Sequence, residues 1–174
     1  MPHEDQIILV DEDDVQIGTM GKLEVHEKGL LHRAFSIFVR NDKGEVMLQK
    51  RALNKYHSGG LWTNTCCGHP KDGEELLSAA HRRLREEMGL DCSLKEITTL
   101  MYHMNLDHDL KENEFLHVFF GHYNRAPILN PEEADEWKWI TIDDLNEDVA
   151  KNPDNYTHWF KIVLKKMKGN NTVF

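Results

Sequence analysis

Cysteine is scarce in this chain: there are three, Cys66, Cys67 and Cys92, and two of them are neighbours. An odd count with an adjacent pair is a poor basis for a disulfide framework, so reduced thiols are expected, one of them free for chemistry. The pair lacks the two-residue gap of a redox motif, and no zinc-ribbon spacing is present. Positive charge is also in deficit. With 21 Lys and Arg against 30 Asp and Glu the net charge is −9, which disfavours non-specific attraction to nucleic acid or an anionic membrane. Neither is expected as a partner, and an anionic ligand needs a local basic cluster or a metal. Long apolar runs are missing too. Ile7 to Val10 is far short of a membrane span, and the opening Met-Pro-His-Glu-Asp-Gln lacks the basic-then-apolar order of a signal peptide. A cytoplasmic location is expected.

What is present suffices for a core. The 174 residues are 40% apolar and 29% charged, enough hydrophobic material to fold and too little bias for a disordered or fibrous chain. With no internal repeat or low-complexity segment, one domain over residues 1–174 is expected. Ile7 to Val10 and Val15 to Ile17 flank an acidic turn and read as a hairpin. Leu31 to Arg40, the turn Asn41-Asp42-Lys43-Gly44 and Glu45 to Lys50 read as a second. A long loop runs through Ser58-Gly59-Gly60 to Asp72-Gly73. From Glu74 to Met88 the residues Leu77, Ala80, Leu84 and Met88 recur at helical spacing, and Gly89 stands as the stop. Ile97 to Asn105, Asn113 to Tyr123 and Trp137 to Ile140 read as strands, and Asp143 to Ala150 and Tyr156 to Lys168 as helices. The fold class is α/β (α+β), a mixed sheet with helices on its faces.

Two groups of residues point to chemistry. Glu112 and Glu114 lie two apart on a strand and therefore share the face of Leu116, Val118 and Phe120. If that face is buried, two inward carboxylates demand a cation or a proton. If instead the face of Phe115 and Phe119 is the buried one, they are solvated, and periodicity does not choose. Of the eleven histidines, His26 and His32 flank a short connection into a strand, and His69 follows a Cys-Gly pair. Three histidines with two carboxylates suit an octahedral Mg²⁺, Mn²⁺ or related ion better than a tetrahedral thiolate zinc site.

From Gly68 the chain reads Gly, five residues, Glu74, seven residues, then Arg82-Arg83-Leu84-Arg85-Glu86-Glu87-Met88-Gly89-Leu90. This run resembles the signature of the Nudix superfamily. The resemblance implies a Nudix-type mixed β-sheet sandwiched between α-helices, with helix carboxylates, here Glu86 and Glu87, holding divalent metals on a diphosphate. Arg83 departs from the pattern, standing where the superfamily's hydrolases carry Glu. A cation in place of a metal ligand argues for diphosphate binding over hydrolysis. A mere helical pair of Arg83 with Glu87 on a solvated face would contribute about 0.2–0.5 kcal/mol and leave the rest of the run without a reason.

The likeness narrows to one branch. Lys22 and His26, His32-Arg-Ala-Phe-Ser, Lys50-Arg-Ala-Leu-Asn-Lys55, Leu61-Trp-Thr-Asn-Thr-Cys-Cys-Gly-His-Pro, Tyr102, Glu112-Asn-Glu114 and Trp159 together resemble the type I isopentenyl-diphosphate Δ-isomerases. The resemblance covers about residues 22–159. It implies a first metal site on His26, His32, His69, Glu112 and Glu114, taking Mn²⁺ or another divalent ion such as Mg²⁺ or Zn²⁺. A second ion, Mg²⁺ arriving with the diphosphate, falls to Glu87, with Glu86 left as an alternative. The diphosphate falls to Lys22, Arg51, Lys55 and Arg83, the catalytic pair to Cys67 and Glu114 with Tyr102 beside the glutamate, and the pocket wall to Trp159. His26 and His32 are separated by five residues, one fewer than the resemblance leads one to expect.

The implied reaction interconverts isopentenyl and dimethylallyl diphosphate in isoprenoid biosynthesis, adding a proton at one carbon and removing one from another. An unactivated alkene is a very weak base, so a positioned acid and a dry pocket are required. The intermediate is a tertiary carbocation, which Trp159 can face without reacting. Cys67, with an ordinary thiol pKa of about 8.5, could serve in either protonation state. A monomer or weak homodimer is expected. The alternatives are a Nudix diphosphate hydrolase, against which Arg83 argues, and a non-catalytic diphosphate-binding module, which gives Cys67 and Glu114 no task.

Overall fold

The computed structural model describes residues 5–169. Residues 1–4, on which part of the N-terminal reading bears, lie outside the described residues. The strands are β1 (Gln6–Val10), β2 (Gln16–Gly21), β3 (His32–Arg40), β4 (Glu45–Arg51), β5 (Trp62–Thr63), β6 (Cys66–Gly68), β7 (Leu94–Asn105), β8 (Lys111–His122) and β9 (Ala134–Thr141). The helices are α1 (Lys22–Lys28), α2 (Leu76–Met88), α3 (Ile142–Lys151) and α4 (His158–Gly169).

Strand β3 organises the sheet. Along one edge it pairs in parallel with β8 from His32↔Glu114 to Arg40↔His122. Along the other it meets β1 at Leu9↔His32, β6 from Phe35↔Gly68 to Ile37↔Cys66, and β4 at Arg40↔Val46. Strand β7 closes the β8 side antiparallel, and β9 pairs with β4. The parallel pair explains why β3 is a near-continuous apolar run, since a strand covered on both faces loses the alternation of a half-exposed one.

The two faces carry separate cores. Phe35, Ile37, Met47, Cys66 and Phe119 pack under Ala79, Ala80, Leu84 and Met88 of α2. On the opposite face Phe38, Leu48, Leu116 and Val118 pack against Trp159, Phe160, Val163 and Met167 of α4. The mixed sheet between helices is the architecture expected. It also settles the strand of Glu112: the face of Leu116 and Val118 is buried, and so is Phe119 on the other side.

The structure differs from the sequence reading in places. Helix α1 was not expected. It is seven residues long, has Val25 as its buried apolar residue and ends at Gly29 in the left-handed region, so there is too little pattern for periodicity to register. The long loop contains β5 and β6, two- and three-residue strands held by Lys50↔Trp62 and Ser36↔Cys67 pairing. Helix α2 begins at Leu76 rather than Glu74, because Glu74 turns back to accept from Lys71 N at 2.9 Å. Strand β7 begins earlier, at Leu94, and α4 two residues later, after Tyr156 and Thr157 bridge to Trp62.

Candidate active site and metal centre

His26 ends up inside because α1 lies against β8, and Gly29 allows the turn that carries the chain from α1 into β3. That glycine adopts φ +66°, and a side chain there would also meet Lys111 at 3.0 Å. His26 Nδ1 donates to the Lys22 carbonyl at 2.7 Å, and His32 Nδ1 donates to the Leu30 carbonyl at 2.9 Å. Carbonyls only accept, so both Nδ1 atoms carry the proton and both Nε2 atoms are presented inward. This is the arrangement that orients histidines as metal ligands.

The three imidazoles meet. Ring centroids lie 5.2 Å apart for His26 and His32, 5.1 Å for His32 and His69, and 6.0 Å for His26 and His69. Donor atoms of His26, His32, His69 and Glu112 all lie within 4.8 Å of one another. Glu114 Oε1 adjoins them, 3.6 Å from His32 Nε2 and 3.4 Å from His69 Nε2. Both of these nitrogens are buried with no hydrogen-bond partner among the described residues. Electrostatics makes the same demand. Burial alone would lower the His32 pKa, but the facing Glu112 and Glu114 carboxylates raise it to about 10, while burial pushes His69 down to about 3. Two buried carboxylates call for positive charge, and orphaned Nε2 atoms call for a Lewis acid. The donor set fits one divalent ion, and the one-residue shortening between His26 and His32 does not keep His26 out.

Tyr102 stands across from Glu114 in the β7–β8 register and donates its hydroxyl to Glu114 Oε2 at 2.7 Å. Burial and the Glu114 charge push that phenol well above its ordinary range, so it stays a donor. Cys66 and Cys67 alternate along β6, which sends Cys66 under α2 and Cys67 toward the α4 side. The Cys67 thiol donates to Asn64 Oδ1 at 3.1 Å and lies 3.5 Å from Ser36 Oγ. Burial lifts its pKa to about 11, so it rests as a thiol rather than in either state.

Both groups line one cavity of about 200 Å³, together with Lys22, Arg51, Lys55, Arg83, Glu86, Glu87 and Trp159. Every expected site residue except buried His32 is on its wall. Lys22 is held below its usual range first by burial and then by Lys55, Arg83 and Arg51, with Glu133 opposing them, so the four cations are close enough to act on one another. Arg83 reaches the cavity past Gly68, where any Cβ would fall 3.0 Å from its stem and 2.8 Å from Phe35. Its guanidinium pairs with Glu86 at 2.7 Å, Glu87 at 2.5 Å and Glu133 at 3.3 Å. Glu87 is buried and also accepts from Gln49 Nε2 at 2.8 Å, whereas Glu86 is exposed. Glu74, by contrast, does not line the cavity: it clamps Arg82 through both oxygens, at 2.7 and 2.9 Å.

The NUDIX domain family model matches residues 30–160. Among curated proteins, the chain is 52% identical to "Isopentenyl-diphosphate Delta-isomerase 2" of Aromatoleum aromaticum, over 94% of this chain and 87% of that one. It is also 52% identical to "Isopentenyl-diphosphate Delta-isomerase 2" of Photorhabdus laumondii, over 91% and 89%. The chain belongs to the isopentenyl-diphosphate Delta-isomerase family of Nudix proteins. Among solved structures it superposes on a Deinococcus radiodurans protein with TM-score 0.71 at 20% identity, covering 85% of this chain and 90% of that one. A MutT protein from Methanosarcina mazei follows at TM-score 0.66 and 20% identity, covering 81% and 95%. At that identity the likeness is one of fold.

Five further residues belong to the geometry of this isomerase-family cavity and were not expected. Tyr56 and His57 line it beside Trp159, Glu133 pairs with Lys55 at 2.7 Å, Gln49 holds Glu87, and Asn64 holds Cys67. Gln49 and Asn64 carried a signal, as polar residues inside an apolar strand and a Cys-containing run. Glu133 carried none, because an acidic residue in a Pro-Glu-Glu turn reads as surface.

Proposed function

We propose that the chain interconverts isopentenyl diphosphate and dimethylallyl diphosphate by adding a proton to the alkene and removing one from the adjacent carbon. The observation that carries this reading is the meeting, in one cavity, of a protonated thiol, a phenol-supported glutamate and a cluster of cations, in a chain half identical to proteins named for that reaction. Lys22, Arg51, Lys55 and Arg83 bind the diphosphate, which does no chemistry but fixes the hydrocarbon in place. Tyr102 and Glu114 work from one side of the five-carbon unit and Cys67 from the other. A proton joins the terminal methylene carbon, leaving a tertiary cation beside the Trp159 ring, and a proton leaves the carbon nearer the diphosphate.

His26, His32, His69, Glu112 and Glu114 would hold one divalent ion, Mn²⁺ or else Mg²⁺ or Zn²⁺. Glu87 would hold an Mg²⁺ that arrives with the substrate. Bound there, the ions supply charge that neutralises the carboxylates and the diphosphate. Arg83 occupies the position of a hydrolase ligand and leaves the diphosphate intact. The chain acts as one domain, a monomer or weak homodimer, in the cytoplasm. Among the described residues no helix is long and apolar enough to cross a membrane.

The test is ¹H and ³¹P NMR of isopentenyl diphosphate with the protein, Mg²⁺ and Mn²⁺. Loss of the terminal-alkene signals with an intact diphosphate supports the reading. Released phosphate or pyrophosphate with the alkene unchanged would make the chain a hydrolase, and binding without change in either spectrum a diphosphate-binding module.

A further inference from the structure

His57 is a cavity residue for which neither the fold nor the acid–base groups supply a role. It is buried and lies on the segment between β4 and β5 that also carries Lys55 and Tyr56. Two contacts tie it to Trp159 and Arg51, and a third holds the residue that follows it. Its ring stands edge-on to the Trp159 ring, with centroids 5.6 Å apart and planes at 85°. Its carbonyl accepts from Arg51 Nη2 at 3.2 Å, and the Arg51 guanidinium lies over the same Trp159 ring at 5.1 Å. The following residue, Ser58, adopts φ +53° and donates its N–H to Asp107 Oδ2 at 3.1 Å. A non-glycine residue in that region is strained unless its surroundings hold it, so the segment is built to keep His57 where it is.

We infer that His57 is a positioning residue, which fixes the Trp159 ring against Arg51 and closes the cavity wall beside that ring to water. This deepens the isomerase reading and rests on it. The physical requirement is specific. A tertiary cation facing an aromatic ring is stabilised as long as water is absent. When the ring edge that seals the wall is cut away, water can add to the cation at its central carbon and lose a proton. That gives 3-hydroxy-3-methylbutyl diphosphate, a product that loss of folding or of diphosphate affinity alone would not make.

The experiment compares His57→Ala, His57→Asn and His57→Phe with the wild-type chain, incubated with isopentenyl diphosphate, Mg²⁺ and Mn²⁺ and followed by ¹H NMR. The expected result is about a tenfold lower kcat in His57→Ala and His57→Asn, a smaller change in KM, and the tertiary alcohol appearing beside the allylic product. His57→Phe, which restores a ring edge, should restore kcat and remove the alcohol. Circular dichroism identifies a variant that fails to fold, and Asn stands in for Ala if Ala does. Wild-type turnover with folded Ala or Asn variants that match it, or that slow without alcohol and without rescue by Phe, would overturn the role of His57 alone. Absence of isomerisation by the wild-type chain would overturn the isomerase reading itself, and this inference with it.

Discussion

Tyr102 and Glu114 form a divided carboxylate. The Tyr102 hydroxyl takes Oε2 at 2.7 Å, while Oε1 turns to His32 and His69 at 3.6 and 3.4 Å. On the proposed mechanism one oxygen serves the metal side and the other the reacting side, and the phenol sets which is which. Hydrogen bonds to charged groups contribute about 1.5–3 kcal/mol, or roughly ten- to a hundredfold in rate if expressed at the transition state. Tyr102→Phe should therefore lower kcat by one to two orders of magnitude with little effect on KM, measured by initial rates of alkene loss. Since the phenol sits at the end of the cluster, metal content by atomic absorption should not change.

Cys67 should behave differently. Its neighbours Asn64 and Ser36 orient a thiol that burial keeps protonated. On the proposed mechanism Cys67→Ala removes a proton-transfer group and should cost about 10²–10⁴ in kcat, while Cys66→Ala, under α2, should leave kcat within a few-fold and lower stability instead. Steady-state kinetics and thermal melts on the two variants, side by side, separate catalysis from packing.

Metal removal should destabilise the fold. The two inward carboxylates and the orphaned histidine nitrogens gain partners when an ion binds. An ion at about a hundred times its Kd stabilises by ~2.7 kcal/mol, which for a chain of this size corresponds to roughly 5–10 °C in Tm. Adding a chelator to the Mn²⁺-loaded protein and repeating the melt should show that fall. His32→Ala should start low and not respond to Mn²⁺.

Glu74 gives a pH prediction away from the metal site. The hydrogen bonds from Arg82 hold its carboxyl below the usual range, against a smaller opposing effect of burial. A depressed carboxylate pKa contributes stability above the unfolded pKa of about 4.3, and that stability is lost as pH falls through the folded value. Glu74→Gln should then lower Tm by about 2–3 °C at pH 7, from roughly 1 kcal/mol for a partly exposed pair. At pH 3 and below the difference should shrink toward zero. A difference that grew in acid would contradict the assignment.

Much of the site was legible because its residues sit in long, ordered runs. The stretch from Leu61 to Pro70 and the α2 run carry Cys67, His69, Arg83 and Glu87 in fixed order, and the structure brings them to one cavity. The face of Glu112 and Glu114 was not legible, because β8 is covered on both sides and alternation selects a face only when one side is wet. Helix α1 and strands β5 and β6 were too short to leave a period, and each is held by partners distant in sequence. The roles of Gln49, Glu133 and His57 as neighbours of expected residues depend on that same pairing, which no single segment records.

The most direct test of the acid–base account is the reaction run in D₂O with isopentenyl diphosphate, Mg²⁺ and Mn²⁺, with the deuterium located by ¹H and ²H NMR. The account predicts a single deuterium in the newly formed methyl group of the first-formed dimethylallyl diphosphate, and no such product from Cys67→Ala on the same timescale. Product whose new methyl group carries no deuterium would mean that the hydrogen migrates within the substrate, and would contradict the assignment of separate proton-transfer groups on its two sides.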